Sequence, residues 1–168
     1  MELVIDGYNV IRQSPVFKKA EQEGLEVGRE TLIKYLEAYR KLKKHKITVV
    51  FDGQNAAHLS IQKERIAGIS VIYSPYGQTA DEIIKRMVMK NSNLVVVTSD
   101  REIIDFVQRH RATSIPTTEF IPRLEMAFYS EIKGIEEDTP SSIAPIKKGP
   151  SRRLSKRQRK KQRVLRKM

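Results

Sequence analysis

Three short apolar runs in this chain each end in an aspartate: Leu3-Val4-Ile5-Asp6, Val49-Val50-Phe51-Asp52 and Val95-Val96-Val97-Thr98-Ser99-Asp100. Their near-continuous Val, Ile and Leu content suits strands buried on both faces, because a strand with one wet face alternates instead. The runs alternate with amphipathic segments, which is the pattern of an α/β protein with a parallel sheet covered by helices on both sides. In such a sheet the carboxyl ends of the strands share one edge, where ligands bind near the point at which the strand order reverses. The same three runs therefore predict a fold and gather their three acids.

Five strands are expected: Glu2 to Asp6, Lys46 to Asp52, Ile69 to Ser74, Leu94 to Ser99 and, more weakly marked, Ala112 to Ile115. Arg29 to Lys44 reads as a helix through Leu32, Ile33, Leu36, Tyr39 and Leu42, and Ala80 to Lys90 through Ile83, Ile84, Met87 and Val88. Ile103, Ile104, Phe106 and Val107 form a third helical face, and Phe120 to Ile132 a fourth.

Charge divides the chain unevenly. Of 32 Lys and Arg, twelve fall between Lys147 and Met168 with no acid among them, so residues 1–146 balance twenty basic against twenty acidic side chains. Residues 138–151, with Pro140, Pro145 and Pro150, read as a linker. This places a domain at residues 1–137 and a basic tail at residues 152–168. The tail has too few apolar residues to build a core, so it is expected to be disordered or to become helical on a polyanion. RNA is the favoured partner over an anionic membrane or simple solubility, since only Leu154, Val164, Leu165 and Met168 accompany the charge.

The chain has no cysteine, which removes disulfides, zinc-thiolate sites and thiol nucleophiles together. The start lacks a basic n-region, and no stretch approaches 18 apolar residues, so a cytoplasmic protein is expected. His45, His58 and His110 show no metal-ligand spacing and read as structural or solvent-facing.

Asp81, followed by Glu82, opens the Ala80 to Lys90 helix and enters from the same sheet edge as Asp6, Asp52 and Asp100. Each acid has an ordinary alternative. Thr79-Ala80-Asp81-Glu82 and Ser99-Asp100-Arg101-Glu102 fit a capping box, and Asp52-Gly53 fits a turn. Only Asp6, followed by Gly7-Tyr8-Asn9, resists a packing explanation. Taken together, four carboxylates at one edge repel unless a cation or protons neutralise them. With oxygen ligands alone, the natural guest is Mg²⁺ or Mn²⁺, and the chemistry such ions support on phosphodiesters is that of a nuclease.

Those same stretches, Ile5-Asp6-Gly7-Tyr8-Asn9-Val10, Val50-Phe51-Asp52-Gly53, Thr79-Ala80-Asp81-Glu82 and Val97-Thr98-Ser99-Asp100-Arg101-Glu102, resemble the NYN domains of the PIN-like nuclease superfamily, above all its bacterial YacP-like group. The resemblance covers about residues 1–134. It implies a three-layer α/β/α sandwich with a mostly parallel central sheet and metal-dependent endoribonuclease activity, on mRNA at the ribosome. It implies Asp6, Asp81 and Asp100 as the metal-binding centre, with Asp52 as a further acidic member. Asn9 is implied as a polar partner of the first aspartate and Ser99 as a hydroxyl beside the last, with Glu82 a further supporting acid.

Tyr76, in the loop leading to Asp81, is a candidate for stacking on an unpaired base, with ordinary packing as the alternative. Lys85 and Arg86 are candidates for holding a phosphate, or for solvating their helix. In the tail, Arg152, Arg153, Lys156, Arg157, Arg159, Lys160 and Lys161 are the expected RNA contacts. Two other classes stay open: a non-catalytic RNA-binding or ribosome-assembly factor, and a phosphotransfer domain, although the latter calls for a DxD pair and position 8 is Tyr.

Overall fold

A computed structural model describes residues 1–53, 59–134 and 155–168. In chain order the elements are β1 (Glu2–Asp6), α1 (Gly7–Gln13), α2 (Pro15–Glu23), α3 (Leu25–Lys43), β2 (Lys46–Phe51), β3 (Gln62–Ile66), β4 (Ile69–Tyr73), α4 (Ala80–Lys90), β5 (Val95–Val97), α5 (Arg101–Arg109), β6 (Thr113–Ile115), α6 (Thr117–Lys133) and α7 (Lys156–Leu165). The strands form one sheet in the order β3-β4-β2-β1-β5-β6, parallel throughout except that β3 runs antiparallel to β4. This is the α/β fold expected from the apolar runs.

Alternation along each strand divides the core into two layers. Leu3, Ile5, Val49, Phe51, Val71 and Val97 face the side of Leu36, Tyr39 and Leu124, from α3 and α6. Val4, Val50, Ile72 and Val96 face Ile83, Ile84 and Val88 of α4 and Ile103 and Val107 of α5. Both faces are covered, so both sets of positions are apolar, and each large side chain fully withdrawn from water contributes about 1.5–3 kcal/mol.

Three elements lie outside the sequence reading. β3 reads Gln-Lys-Glu-Arg-Ile with every residue exposed, so it has no apolar run to announce it. Its hairpin to β4 turns at Ala67 (φ 50°) and Gly68 (φ 78°), the two consecutive left-handed residues that a tight two-residue turn requires. Helix α1 is only seven residues long and buries Gly7, Tyr8, Val10 and Ile11, leaving no clean amphipathic period. At its first position a methyl group on Gly7 would stand 2.3 Å from the ring of Phe51, which is itself fully buried. α2 begins at Pro15, whose missing N–H is no loss at a helix start.

The basic tail, expected to be disordered or to become helical on a polyanion, carries a helix that packs on the body. A capping box between Ser155 and Gln158 starts α7, and Val164, Leu165 and Met168 pack on the α3/α6 side of the core. The Tyr39 hydroxyl donates to the Met168 carbonyl at 3.2 Å, and Lys161 pairs with Glu119 at 2.6 Å. The four tail apolar residues are too few for a core of their own, but three of them suffice to complete an existing one. The expected linker, residues 138–151, lies outside the described residues, as do Arg152 and Arg153.

Candidate active site at the carboxyl edge of the sheet

The strand order reverses between β1 and β5: the chain runs from β1 outward through β2 and β4, then returns to β5 and continues to β6. Asp6 ends β1 and Asp100 follows β5, so they flank this reversal. Asp6 is almost wholly buried, at 8% exposure, and serves as the N-cap of α1 by accepting the Asn9 backbone N–H at 3.3 Å. Its other oxygen accepts the Thr98 hydroxyl at 3.0 Å. Burial raises the Asp6 carboxyl from 3.8 to about 6; the bonds from Thr98 and Asn9 pull against that rise, and the charges of Asp81 and Asp100 add to it.

The Thr98 hydroxyl also accepts the Asp100 backbone N–H at 3.1 Å, so one hydroxyl connects two of the acids. Asp100 caps α5, accepting N–H groups from Glu102 at 2.7 Å and Ile103 at 3.2 Å. The capping-box reading of Ser99 is thereby displaced by one residue. Ser99 instead meets the Thr117 hydroxyl at 2.6 Å and accepts the Thr117 N–H at 3.1 Å, tying the β5–α5 loop to the start of α6. Asn9 contributes through two different groups. Its backbone supports Asp6, while its side-chain oxygen accepts the Ser99 N–H at 2.9 Å.

Asp52 accepts the Ser74 hydroxyl at 2.9 Å, and Ser74 in turn accepts the Gly53 N–H at 2.9 Å. Asp81, the second residue of α4 behind the Thr79 cap, receives no hydrogen bond among the described residues. Burial raises its carboxyl, the negative charge of Asp100 raises it further, and Lys85 lowers it. Asp6, Asp52, Asp81 and Asp100 line one cleft of about 280 Å³ together with Tyr8, Asn9, Arg12 and Gln13.

Other expected site residues stand elsewhere. Glu82 is exposed and absent from the cleft wall, and Tyr76 is 75% exposed without lining it. Lys85 pairs with Glu102, bridging α4 to α5, and Arg86 is held by the Gln78 side chain. Lys160 donates to the Arg111 carbonyl at 2.8 Å, and Arg157, Arg159 and Lys161 also lie on α7, away from the four acids. Lys156 begins that helix. Of the histidines, His45 meets the Lys167 carbonyl at 3.1 Å and His110 stacks on Phe106, while His58 lies outside the described residues.

Thr98, Ser74, Tyr8, Arg12 and Arg29 received no site role in the sequence reading. The Arg29 Nε donates to the Tyr8 hydroxyl at 2.9 Å, and its guanidinium lies over the rings of Tyr8, Phe51 and Tyr73 at 5.5, 5.6 and 5.2 Å. Tyr8 is thus held from behind. Arg29 follows no motif, whereas Thr98 and Ser74 stand at strand ends beside the acids, and that position is the signal that would have found them.

Among the described residues no three acidic or histidine groups are gathered closely enough to share a metal ion as they stand. The donor chemistry nevertheless suits a hard cation, since four carboxylates border one cleft and two of them bind protons more tightly than usual.

The sequence pattern of the YacP-like NYN domain matches residues 3–167. The chain belongs to the YacP-like NYN family. This family of PIN-like nucleases includes an uncharacterized protein, YacP, of Bacillus subtilis, which is 30% identical over 102 residues, or 58% of this chain and 59% of the relative. The match thus spans about three fifths of that relative's length. Two crystal structures of Rae1 (YacP) from Bacillus subtilis share the fold. One, of a mutant form, gives a TM-score of 0.64 at 23% identity over 79% of each chain. The other gives 0.61 at 25% identity over 80% of this chain and 78% of that one. The YacP-like match runs through α7, so the family pattern extends across the docked basic helix as well as the sheet.

Proposed function

We propose that this protein is a metal-dependent endoribonuclease that hydrolyses RNA phosphodiester bonds, acting in the cytoplasm on mRNA on or near the ribosome. The observation that carries the reading is the convergence of Asp6, Asp52, Asp81 and Asp100 on one cleft at the reversal of strand order, in a chain of a PIN-like nuclease family. Asp6, Asp81 and Asp100 would hold Mg²⁺ or Mn²⁺. When bound, such an ion neutralises phosphate charge, steadies the leaving oxygen and lowers the pKa of water.

The side chains divide the remaining work. Thr98 keeps one Asp6 oxygen oriented and shares its hydroxyl with the Asp100 backbone, so one side chain links the two acids. Asp81 carries no competing hydrogen bond among the described residues and is free to turn toward the other two. Asp52 is aimed by Ser74 and is the candidate to orient the attacking water. Arg12, on the cleft wall and over the Tyr8 ring at 5.5 Å, supplies positive charge for a phosphate oxygen.

Purified protein incubated with RNA, with and without ribosomes, in Mg²⁺, Mn²⁺ or chelator, tests the reading. Cleavage that needs the ion supports it, and a ribosome requirement would appear as a rate difference between the two sets. Cleavage undiminished by thorough chelation overturns the metal mechanism. RNA bound but never cut in any condition favours the non-catalytic RNA-binding factor.

A further inference from the structure

The opposite edge of the sheet carries a larger groove of about 650 Å³. His45, just before β2, and Asn93, just before β5, form its sheet side, at the amino ends of the strands. Its other wall is α7, which contributes Arg159, Lys160, Arg163 and Val164, and Lys167 in the turn that follows the helix. Among the described residues no Asp or Glu borders it. Arg159 and Arg163 stand four residues apart on one face of α7, about 6 Å along its axis, and Lys167 follows in the turn beyond the C-cap Arg166. Arg163 and Lys167 are exposed.

A wall of cations with no acid beside it suits a ligand with repeated negative charge. An anionic bilayer fits poorly, because Val164, Leu165 and Met168 pack against the core, Val164 also bordering the groove, and none of the three is exposed for insertion. Geometry separates this groove from the acidic cleft. β1 rises ~17 Å over its length, with Asp6 at its far end and the groove at its start.

We propose that this groove binds the phosphate backbone of an RNA segment other than the one presented to the cleft, so that the protein engages RNA at two opposite poles. The choice of RNA as the polyanion rests on the nuclease reading; the existence of an anion-binding pole does not. A structured RNA that offers one segment to each pole is held by α7 while a second, unpaired stretch reaches the acids. Attraction at the basic pole raises the local concentration of substrate without placing any cation in competition with the metal-binding acids.

The test measures binding of a fluorescent RNA hairpin in chelator, so that RNA stays intact, to the full chain, to Arg163→Gln/Lys167→Gln and to Arg12→Gln, which removes a cation of the cleft wall. In the groove variant the slope of log affinity against log salt should become shallower by roughly two, one for each lost phosphate contact, while the cleft variant keeps the wild-type slope. An unchanged slope in a groove variant with a wild-type melting curve overturns the proposal, and so does an equal loss of slope in the cleft variant. Should the double variant fail to fold, Lys167→Gln alone, beyond the end of α7, decides by a slope shallower by roughly one. A wild type whose hairpin binding depends on the groove cations but which cuts no RNA in Mg²⁺ or Mn²⁺ refutes the nuclease reading and leaves the basic pole standing.

Discussion

The Thr98 hydroxyl donates to the Asp6 carboxylate at 3.0 Å and at the same time accepts the Asp100 backbone N–H at 3.1 Å. Thr98 is fully buried, so no water replaces it. Thr98→Val keeps the shape and removes both bonds. The Asp6 carboxyl, already at about 6, should rise further because its strongest opposing hydrogen bond is gone. Stability should fall by about 1–3 kcal/mol, and the acid limb of the cleavage rate should move to higher pH. Superimposable pH–rate profiles for the two proteins would show that Thr98 does not set the acid.

Asp6 also gives the apo protein a pH dependence of known sign. Its folded-state value of about 6 lies above the ordinary 3.8, so the folded protein binds this proton more tightly than the unfolded chain. The resulting stabilisation is complete below about pH 4 and is lost as pH rises through about 6, a change on the order of 2–3 kcal/mol. In Asp6→Asn this contribution should vanish, leaving the fall that the raised Asp81 carboxyl adds in the same direction, and the variant should melt at or above the wild type at neutral pH without divalent cations. Denaturation midpoints across pH 4–7 in chelator check this, and cleavage by the same variant should be abolished.

Metal dependence has a stability signature independent of turnover. Mg²⁺ or Mn²⁺ should raise the melting temperature of the wild type by mass action, and hardly that of Asp81→Asn, which loses one charge from the cradle. Because ligation requires ionised carboxylates, the increment should shrink in acid. Equal increments in both proteins would remove Asp81 from the ligand set.

Gly7 is required by contact with Phe51. A Cβ there would stand 2.3 Å from a fully buried ring, so Gly7→Ala should cost about 1–3 kcal/mol or more through overpacking. Phe51→Leu added to Gly7→Ala should recover part of the loss, a coupling that a double-mutant cycle reads directly. Strictly additive losses would point away from this clash.

The docked tail makes a different prediction from a detachable one. Removing residues 155–168 uncovers Tyr39 and the core beneath Val164, Leu165 and Met168. The truncated chain should lose about 2–5 kcal/mol of stability, visible as an earlier denaturation midpoint. An unchanged midpoint would mean that α7 adds charge but no packing.

Periodicity made legible those elements whose burial follows their own backbone. Helix α4 runs Ala80–Lys90, as its apolar spacing alone indicated, and β1 spans Glu2–Asp6 because every residue from Leu3 onward is buried. The four aspartates were legible for the same reason, since a parallel sheet puts the ends of its strands on one edge whatever the helices do. β3 left no trace in pattern because an edge strand with both faces wet gains its order from the β4 ladder.

By itself, then, the sequence determined the parallel α/β core, the edge at which its acids assemble and the absence of thiol chemistry. Tertiary structure alone decided which partner each acid receives: Thr98 for Asp6, Ser74 for Asp52, and for Ser99 a hydroxyl eighteen residues away on Thr117. It also decided that the basic tail belongs to the body. The Tyr39 and Met168 that meet there are 129 residues apart. No local pattern encodes such a contact, because three apolar residues among many cations are a solvated tail until a surface built elsewhere in the chain offers them a place to leave water.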